Sequence, residues 1–345
     1  MSEFAGNALY FSVIIGYIFE FVTLIFIIKI LRMCPDKSFF QVLTQCFTKV
    51  GALIISFAYA AYYVIKSIFI LCETRLFFIE TLYEEFSWIL FIFPLIMVLL
   101  FIASKKAYVI GRLYEAFNAI IIGGFVFLSI VALADVDFME LLPVVNKGVG
   151  GIFEGIYRNI FMFGDTIILL VFCGRVKLQK NFEFKMKKSL IISAILVTSF
   201  MIIYYCIYGN IADMLRFAIS SVVQFSPRVS SMGRVDWIAI CIWCVVLLLQ
   251  LIFILWLQKS IANDVFNIKK KKYIPVIVLS VIIFTITFIF YFNLDFVFNI
   301  IHSNWAIISF FVLQYFIPML TYISLKIQGK KEIAYENLPE TIADK

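Results

Sequence analysis

Nine long apolar segments, separated by short loops of alternating charge, constrain this 345-residue chain more than any other feature. A helix of about 20 apolar residues spans the roughly 30 Å hydrocarbon layer of a membrane. Hydrophobic residues make up 63% of the chain and charged residues only 15%, so no polar stretch is long enough to form a soluble domain. The segments lie near residues 8–31, 48–72, 87–104, 114–134, 152–173, 189–208, 236–257, 273–293 and 303–325. The sequence therefore predicts an all-α, polytopic membrane protein of about nine transmembrane helices, with one membrane domain over 1–331 and a polar cytoplasmic tail over 332–345.

Basic residues concentrate in every second loop. The first, third, fifth and seventh connections and the C-terminal tail hold 22 of the 29 Lys and Arg residues, including Lys105, Lys106 and 269–272. The remaining loops are acidic or mixed, as at Glu84 and Asp137. The positive-inside rule assigns the basic side to the cytoplasm, with the first residues outside and the C-terminus inside. The net charge of +7 then faces anionic lipid, and its division among five connections argues against a nucleic-acid partner.

Sequence motifs for catalysis are largely missing. The single histidine, His302, lies at the outer end of the last segment and lacks a partner base nearby in sequence. Cys241 and Cys244 form a CxxC inside an apolar helix, where a zinc or redox site would lack further ligands. There is no HExxH, GxSxG or phosphate-binding glycine loop. We expect a protein that is not an enzyme and has no metal or cofactor, with an intramembrane acyltransferase role for His302 as the open alternative.

The fifth segment is the least regular. It is preceded by LLPVVNKGVGGI over 141–152 and contains Gly164, Asp165 and Thr166 beside Phe161 to Phe163. A Gly-Asp-Thr triplet inside a membrane helix is costly unless it faces a cavity or a partner. Transporters use broken helices of this kind to hold charged substrates on free backbone groups. The pattern predicts a break with a binding function, and a solvated helix start around Glu154 and Arg158 is the alternative.

Other polar residues lie inside apolar segments. Glu20 is near the middle of the first segment, and Tyr59, Tyr63 and Lys66 fall on one face of the second. Polar groups in lipid must be paired, so these side chains are expected to face the bundle interior, together with Ser56 and Tyr62. Interfacial anchoring or helix packing remains the alternative for the tyrosines. Glu115 and Asn118 open the fourth segment, where Glu115 is close enough to the interface to be solvated.

Several stretches, taken in order, resemble a known family. They are CPDKSFFQVLTQCFTKV (34–50), VIGRLYEAFNAII (109–121), VDFMELLPVVNKG (136–148), FMFGDTIILLVF (161–172) and GRVDWIAICIWCV (233–245). Together they are similar to the B subunits of spore-germination nutrient receptors over nearly the whole chain. The resemblance implies the amino acid/polyamine/organocation transporter superfamily, with its inverted-repeat fold of ten spans. It also implies a small nutrient ligand, partner subunits of the A and C types, and the spore inner membrane or cell membrane as location.

The sequence departs from this family at its start. MSEFAGNALYFSVIIGYIFEF resembles the second span of the family, so the usual first span is expected to be missing. The charge pattern points the same way, because nine spans with an outside N-terminus become ten with both ends inside. The resemblance equates the fifth segment with the unwound sixth helix, which forms one half of the ligand site. Asp165 stands where the family commonly has glutamate.

The expected ligand-binding residues follow from the Gly-Asp-Thr break, from the shared face of the second segment and from that resemblance. They are Phe161, Phe163, Gly164, Asp165 and Thr166 in the fifth segment, with Tyr59 and Tyr63 lining the same cavity. The expected function is a germinant-receptor subunit that binds a nutrient, such as an amino acid, and signals through its partners. The alternatives are a secondary amino-acid transporter and a structural subunit that binds no ligand.

Overall fold

The computed structural model describes residues 2–81, 88–175, 181–215, 217–225, 236–268, 273–290 and 294–336. Over these residues the secondary structure is helical. The α-helices are α1 (Leu9–Met33), α2 (Phe39–Cys46), α3 (Lys49–Thr81), α4 (Trp88–Ala103), α5 (Ala107–Ala132), α6 (Gly148–Arg158), α7 (Phe182–Tyr208), α8 (Ala218–Phe225), α9 (Asp236–Val265), α10 (Ile274–Ile289), α11 (Leu294–Ile301), α12 (Asn304–Phe311) and α13 (Ile317–Glu336), with one further turn at Ser2–Ala5. Shorter 3₁₀ segments lie at Gly6–Ala8, Leu133–Asp135, Phe138–Leu141, Ile160–Met162, Asp165–Phe172 and Gly209–Asp213, and a π-helical turn covers Val312–Phe316.

Six stretches of the described chain are long and apolar enough to cross a membrane. They are Ser2–Met33, Lys49–Glu80, Ala107–Asp135, Phe182–Asp213, Trp237–Val265 and Asn304–Gly329. The other three predicted segments coincide with α4, with the shorter apolar helix α10 and with the interrupted stretch from α6 to Phe172. The prediction of an all-α, multi-pass membrane protein is confirmed.

The ends of the helices sort into two sets. At one end Arg32 pairs with Glu183, and Arg175 Nη2 lies 2.6 Å from Asp264 Oδ1. At the other end Lys147 Nζ lies 2.8 Å from Asp213 Oδ2. The first end collects loops that the sequence marks as basic and the second collects acidic ones, so we call them the basic end and the acidic end. Which end faces the cytoplasm stays a prediction, and Lys177, Lys180, residues 269–272 and the tail beyond Glu336 lie outside the described residues.

Helix α9 lies at the centre of the packing. It contacts α3, α4, α5 and α10, while α1 packs against α6, α7, α13 and the 3₁₀ segment Asp165–Phe172. Buried side chains from these elements form one large apolar core. In lipid, tight packing and buried polar contacts hold helices together. This arrangement fixes the interrupted fifth segment between α1 on one side and α3 on the other.

The polar residues predicted to face the interior do so. Glu20, Ser56, Tyr59, Tyr62, Tyr63 and Lys66 are all buried. Glu115 is exposed, as its position near the start of α5 indicated. These groups lie among apolar helices, so each of them needs a hydrogen-bond or ion-pair partner to be stable there.

Candidate ligand site at the break in the fifth segment

The fifth segment is a broken helix. Helix α6 ends at Arg158, one 3₁₀ turn covers Ile160–Met162, and Gly164 adopts φ +93° before the 3₁₀ segment Asp165–Phe172 begins. The break predicted from the Gly-Asp-Thr triplet is confirmed. The irregular stretch expected over 141–152 is shorter than predicted, because α6 already begins at Gly148. Glu154 and Arg158 form an exposed ion pair of 2.9 Å within α6, before the break.

Gly164 meets two requirements that only glycine satisfies easily. Its positive φ is disfavoured for residues with a side chain. A Cβ built on Gly164 would lie 2.2 Å from Gln314 Cδ, so the Gln314 side chain occupies that space. Gln314 is fully buried in the π-helical turn, and its Nε2 donates to the carbonyl oxygen of Phe163 and to Tyr62 Oη, each at 3.0 Å. The break is thereby joined to the last span by one direct hydrogen bond, and the second bond joins Gln314 to α3.

Glu20 holds the other side of the break. One carboxylate oxygen accepts the backbone N–H of Gly164, and the other accepts that of Thr166 at 3.2 Å. Glu20 is 3% exposed and belongs to α1, so an acidic side chain from a neighbouring helix satisfies the free amides of the unwound backbone. Charge-assisted hydrogen bonds of this type are among the stronger ones in proteins.

Lys66 of α3 and Asp165 form an ion pair across the break. The Lys66 side chain is 5% exposed, whereas the Asp165 side chain is 55% exposed. The Lys66 ammonium also lies 5.8 Å from the ring centroid of Phe161. The lysine therefore sits in an enclosed aromatic environment, and the aspartate faces open space.

That open space is a cavity of about 1070 Å³ between α1, α5, α7, α9 and the break. Its polar lining includes Glu20, Asn118, Asn159, Asp165 and Thr166. Its aromatic lining is Tyr17, Tyr114, Phe163, Tyr204 and Phe253. Phe163 lies directly on α1, because a Cβ on Gly16 would fall 2.3 Å from its ring, and it meets Tyr17 edge to face at 5.9 Å. A concave, mostly apolar space with a few polar groups is the usual form of a small-molecule site.

The structure divides the residues predicted to bind ligand into two groups. Phe163, Asp165 and Thr166 line the cavity, whereas Phe161, Gly164, Tyr59 and Tyr63 are buried and do not. Their roles in binding stay predictions.

The second group surrounds Lys66 or the π-helical turn. Phe161 packs on Phe310 and Phe69 at ring distances of 4.7 and 5.2 Å. Tyr59 donates to the carbonyl oxygen of Leu313 at 2.8 Å, and the buried hydroxyl of Tyr63 has no hydrogen-bond partner among the described residues.

Two residues of the site were not assigned to it from sequence. Glu20 was recognised as an acid in the middle of an apolar segment, but nothing in its own surroundings indicated the fifth segment as its partner. Gln314 lies in an otherwise apolar stretch, FVLQYF, and an uncharged amide there gives a weak signal. Both could have been found by asking which side chains satisfy the free backbone groups that a broken helix must expose.

The other chemical candidates lie elsewhere. His302 is half-buried and its Nδ1 lies 2.8 Å from the carbonyl oxygen of Phe298, at the end of α11. Cys241 is exposed and Cys244 half-buried on α9. Across the part of the chain that the structure describes, no group of three or more His, Cys, Asp or Glu residues could hold a metal ion.

A search of curated proteins finds no match to this chain. A model of a family described as "Spore germination protein" matches residues 5–297, which include α1, the break, α10 and every described cavity-lining residue except Ser2. The match covers most of the chain and agrees with a helical, permease-like membrane protein. This chain is therefore a multi-pass membrane protein that belongs to the spore germination protein family.

Proposed function

We propose that this protein is a subunit of a spore germinant receptor that binds a small nutrient, such as an amino acid, in the cavity beside the break. The observation that carries this proposal is the position of Asp165, which follows the left-handed Gly164 and presents its exposed carboxylate to a 1070 Å³ cavity. A broken membrane helix beside such a cavity is the arrangement that transporters use for substrate binding.

Binding at this site would act on the conformation of the whole bundle. The break is joined to α1 through Glu20, to α3 through Lys66 and to the last span through Gln314. A ligand shifts a conformational equilibrium only through its different affinity for the two states. A nutrient that alters any of these three contacts would favour one arrangement of the helices. Partner subunits of the A and C types would then respond to this change in conformation.

The two rival functions each have an observation in their favour. The broken helix also suits a secondary transporter of amino acids. The Lys66–Asp165 ion pair suits a structural subunit, because it already neutralises the most exposed carboxylate of the break.

Reconstitution into proteoliposomes distinguishes the receptor subunit, the secondary transporter and the structural subunit. Purified protein in proteoliposomes should bind a labelled nutrient at equilibrium without accumulating it in the lumen. Uphill accumulation driven by an ion gradient would establish the transporter. No saturable binding by any member of an amino-acid and amine panel, with folded protein verified, would leave the structural subunit.

The orientation that goes with this function is open to a direct test. We propose that the basic end and the C-terminus face the cytoplasm, within a single membrane domain over 1–331. In a cysteine-free background, Val144→Cys at the acidic end should react with a membrane-impermeant maleimide on intact cells. Lys106→Cys at the basic end should react only after permeabilisation, and the reverse pattern would overturn the orientation.

A further inference from the structure

The cavity beside the break carries one sign of charge. Glu20 and Asp165 both line it, and no Lys, Arg or His is among its described lining residues. Lys66 neutralises Asp165 from behind but is enclosed and does not reach the cavity wall. With both carboxylates ionised, the break holds two negative charges and one positive charge, and the two carboxylates are the groups on its cavity side.

The position that a ligand carboxylate would take is already filled. Broken helices bind anions through the free N–H groups where the second half begins. Here the N–H groups of Gly164 and Thr166 both donate to Glu20, one to each oxygen. Ionised glutamate is an acceptor only, and both of its oxygens are used as acceptors here. The chain thus supplies its own carboxylate to the unwound backbone.

A second carboxylate would also be repelled. Two like charges close together repel several times more strongly in a site of low dielectric constant than they would in water. A ligand carboxylate entering this cavity meets Glu20 and Asp165 with no cation among the described lining residues, and the nearby ammonium of Lys66 is already paired with Asp165. A ligand ammonium meets the opposite situation, because it neutralises the remaining charge.

The rest of the lining favours an organic cation. Tyr17 and Phe163 meet edge to face at the break, and both residues line the cavity, as Glu20 does. Aromatic faces attract ammonium groups, most strongly where water is excluded. Thr166 also lines the cavity beside Glu20, whose carboxylate accepts its backbone N–H.

We infer that the ligand of this cavity is an organic amine that binds through its ammonium group to Glu20 and Asp165 and needs no carboxylate. This inference rests on the proposed function, because it names the chemical class of the ligand for the same site. It also distinguishes this chain from a receptor for zwitterionic amino acids, in which the broken helix would bind the carboxylate of the ligand.

The test compares ligands that share one side chain. Three compounds form a matched set: phenylalanine, phenethylamine, which lacks the carboxylate, and 3-phenylpropanoate, which lacks the amine. A second set is built on leucine, isopentylamine and 4-methylpentanoate. Equilibrium binding to the detergent-purified full chain should be about tenfold or more tighter for the amine than for the amino acid, with the acid weakest.

The outcomes distinguish a failure of the amine inference from a failure of the proposed function. Tighter binding of an amino acid than of its amine would overturn the amine inference and leave nutrient binding intact. The absence of binding by every member of both sets would overturn the proposed function and the inference with it. Each measurement is referred to the folded fraction, taken from size-exclusion chromatography.

Glu20→Gln sharpens the test. The amide oxygen still accepts one backbone N–H, but the negative charge is gone. The preference for amine over amino acid should fall by about tenfold in this variant. If Glu20 only braced the break, both affinities would change equally and their ratio would stay at the wild-type value, which would contradict the inference. Should Glu20→Gln fail to fold, the wild-type comparison decides alone.

Discussion

On the side that faces α3 and α12, the break at Gly164 is enclosed by Lys66, Phe161 and Gln314, all of them buried. On the side that faces α1, α5 and α7, the same few residues border a cavity of about 1070 Å³. The enclosed side carries the ammonium and the cavity side carries the carboxylates. The difference shows how an unwound membrane helix can be held in place and still present charged groups to a ligand. The packing contacts lie on one face of the break, and the carboxylates that line the cavity lie on the other.

The enclosed side should be the less tolerant of substitution, and Gly164→Ala should have the largest effect. The positive φ costs about 1–2 kcal/mol for a residue with a side chain. The new Cβ would in addition collide with the buried Gln314, which cannot move without losing its two hydrogen bonds. We expect most of the folded protein to be lost, measured by fluorescence-detected size-exclusion chromatography.

Gly150→Ala is the matched control. Gly150 lies in α6 and a Cβ there meets nothing within 4 Å, so alanine should be tolerated or slightly stabilising. Equal amounts of folded protein from Gly164→Ala and Gly150→Ala would mean that the enclosed side is not tightly packed.

The Lys66–Asp165 ion pair connects the enclosed side to the cavity side. Lys66→Met should have the next largest effect on stability. Removing one partner of a buried pair costs about 3–5 kcal/mol, and the exposure of Asp165 to the cavity places this case near the lower value. Thermal unfolding in detergent should register the loss. Asp165→Asn in the Lys66→Met background should restore part of it, since the unpaired charge is then removed. A double variant no more stable than Lys66→Met would show that the two charges are not coupled.

Substitutions on the cavity side should affect binding, and Asp165→Asn should also lower stability because it leaves the buried Lys66 unpaired. Asp165→Asn removes a charge-assisted hydrogen bond to the ligand, worth on the order of 1.5–3 kcal/mol, so affinity per folded molecule should fall roughly tenfold to a hundredfold. Abundance is measured in parallel, because the same change leaves Lys66 without its partner.

Glu154→Gln provides the comparison for a carboxylate outside the cavity. Glu154 is in an exposed ion pair with Arg158 on α6, so its substitution should leave affinity unchanged. Unchanged affinity per folded molecule in Asp165→Asn would remove Asp165 from the site and favour its role as a structural partner of Lys66.

Sequence reasoning predicted more of the fold than of the site. Apolar length alone identifies the spans, and the Gly164–Asp165–Thr166 triplet identifies the break, because both signals are local. The partners of the break come from positions 144 to 151 residues away, at Glu20 and Gln314. Periodicity placed Tyr59, Tyr63 and Lys66 on one face of α3, but it could not show that this face meets the enclosed side rather than the cavity. Which side of a broken helix is open depends on how distant helices pack.

The tyrosines of α3 give the smallest effects and the most direct test of that distinction. Tyr59→Phe removes a hydrogen bond to the Leu313 carbonyl of the π-helical turn and should lower stability by about 1 kcal/mol. Tyr63→Phe removes a buried hydroxyl without a partner among the described residues, so stability should be unchanged or slightly higher. Because neither side chain lines the cavity, both variants should bind ligand with wild-type affinity per folded molecule. A loss of affinity in either variant, at constant folded protein, would mean that the ligand reaches through the break to α3, and the division into an enclosed side and a cavity side would not hold.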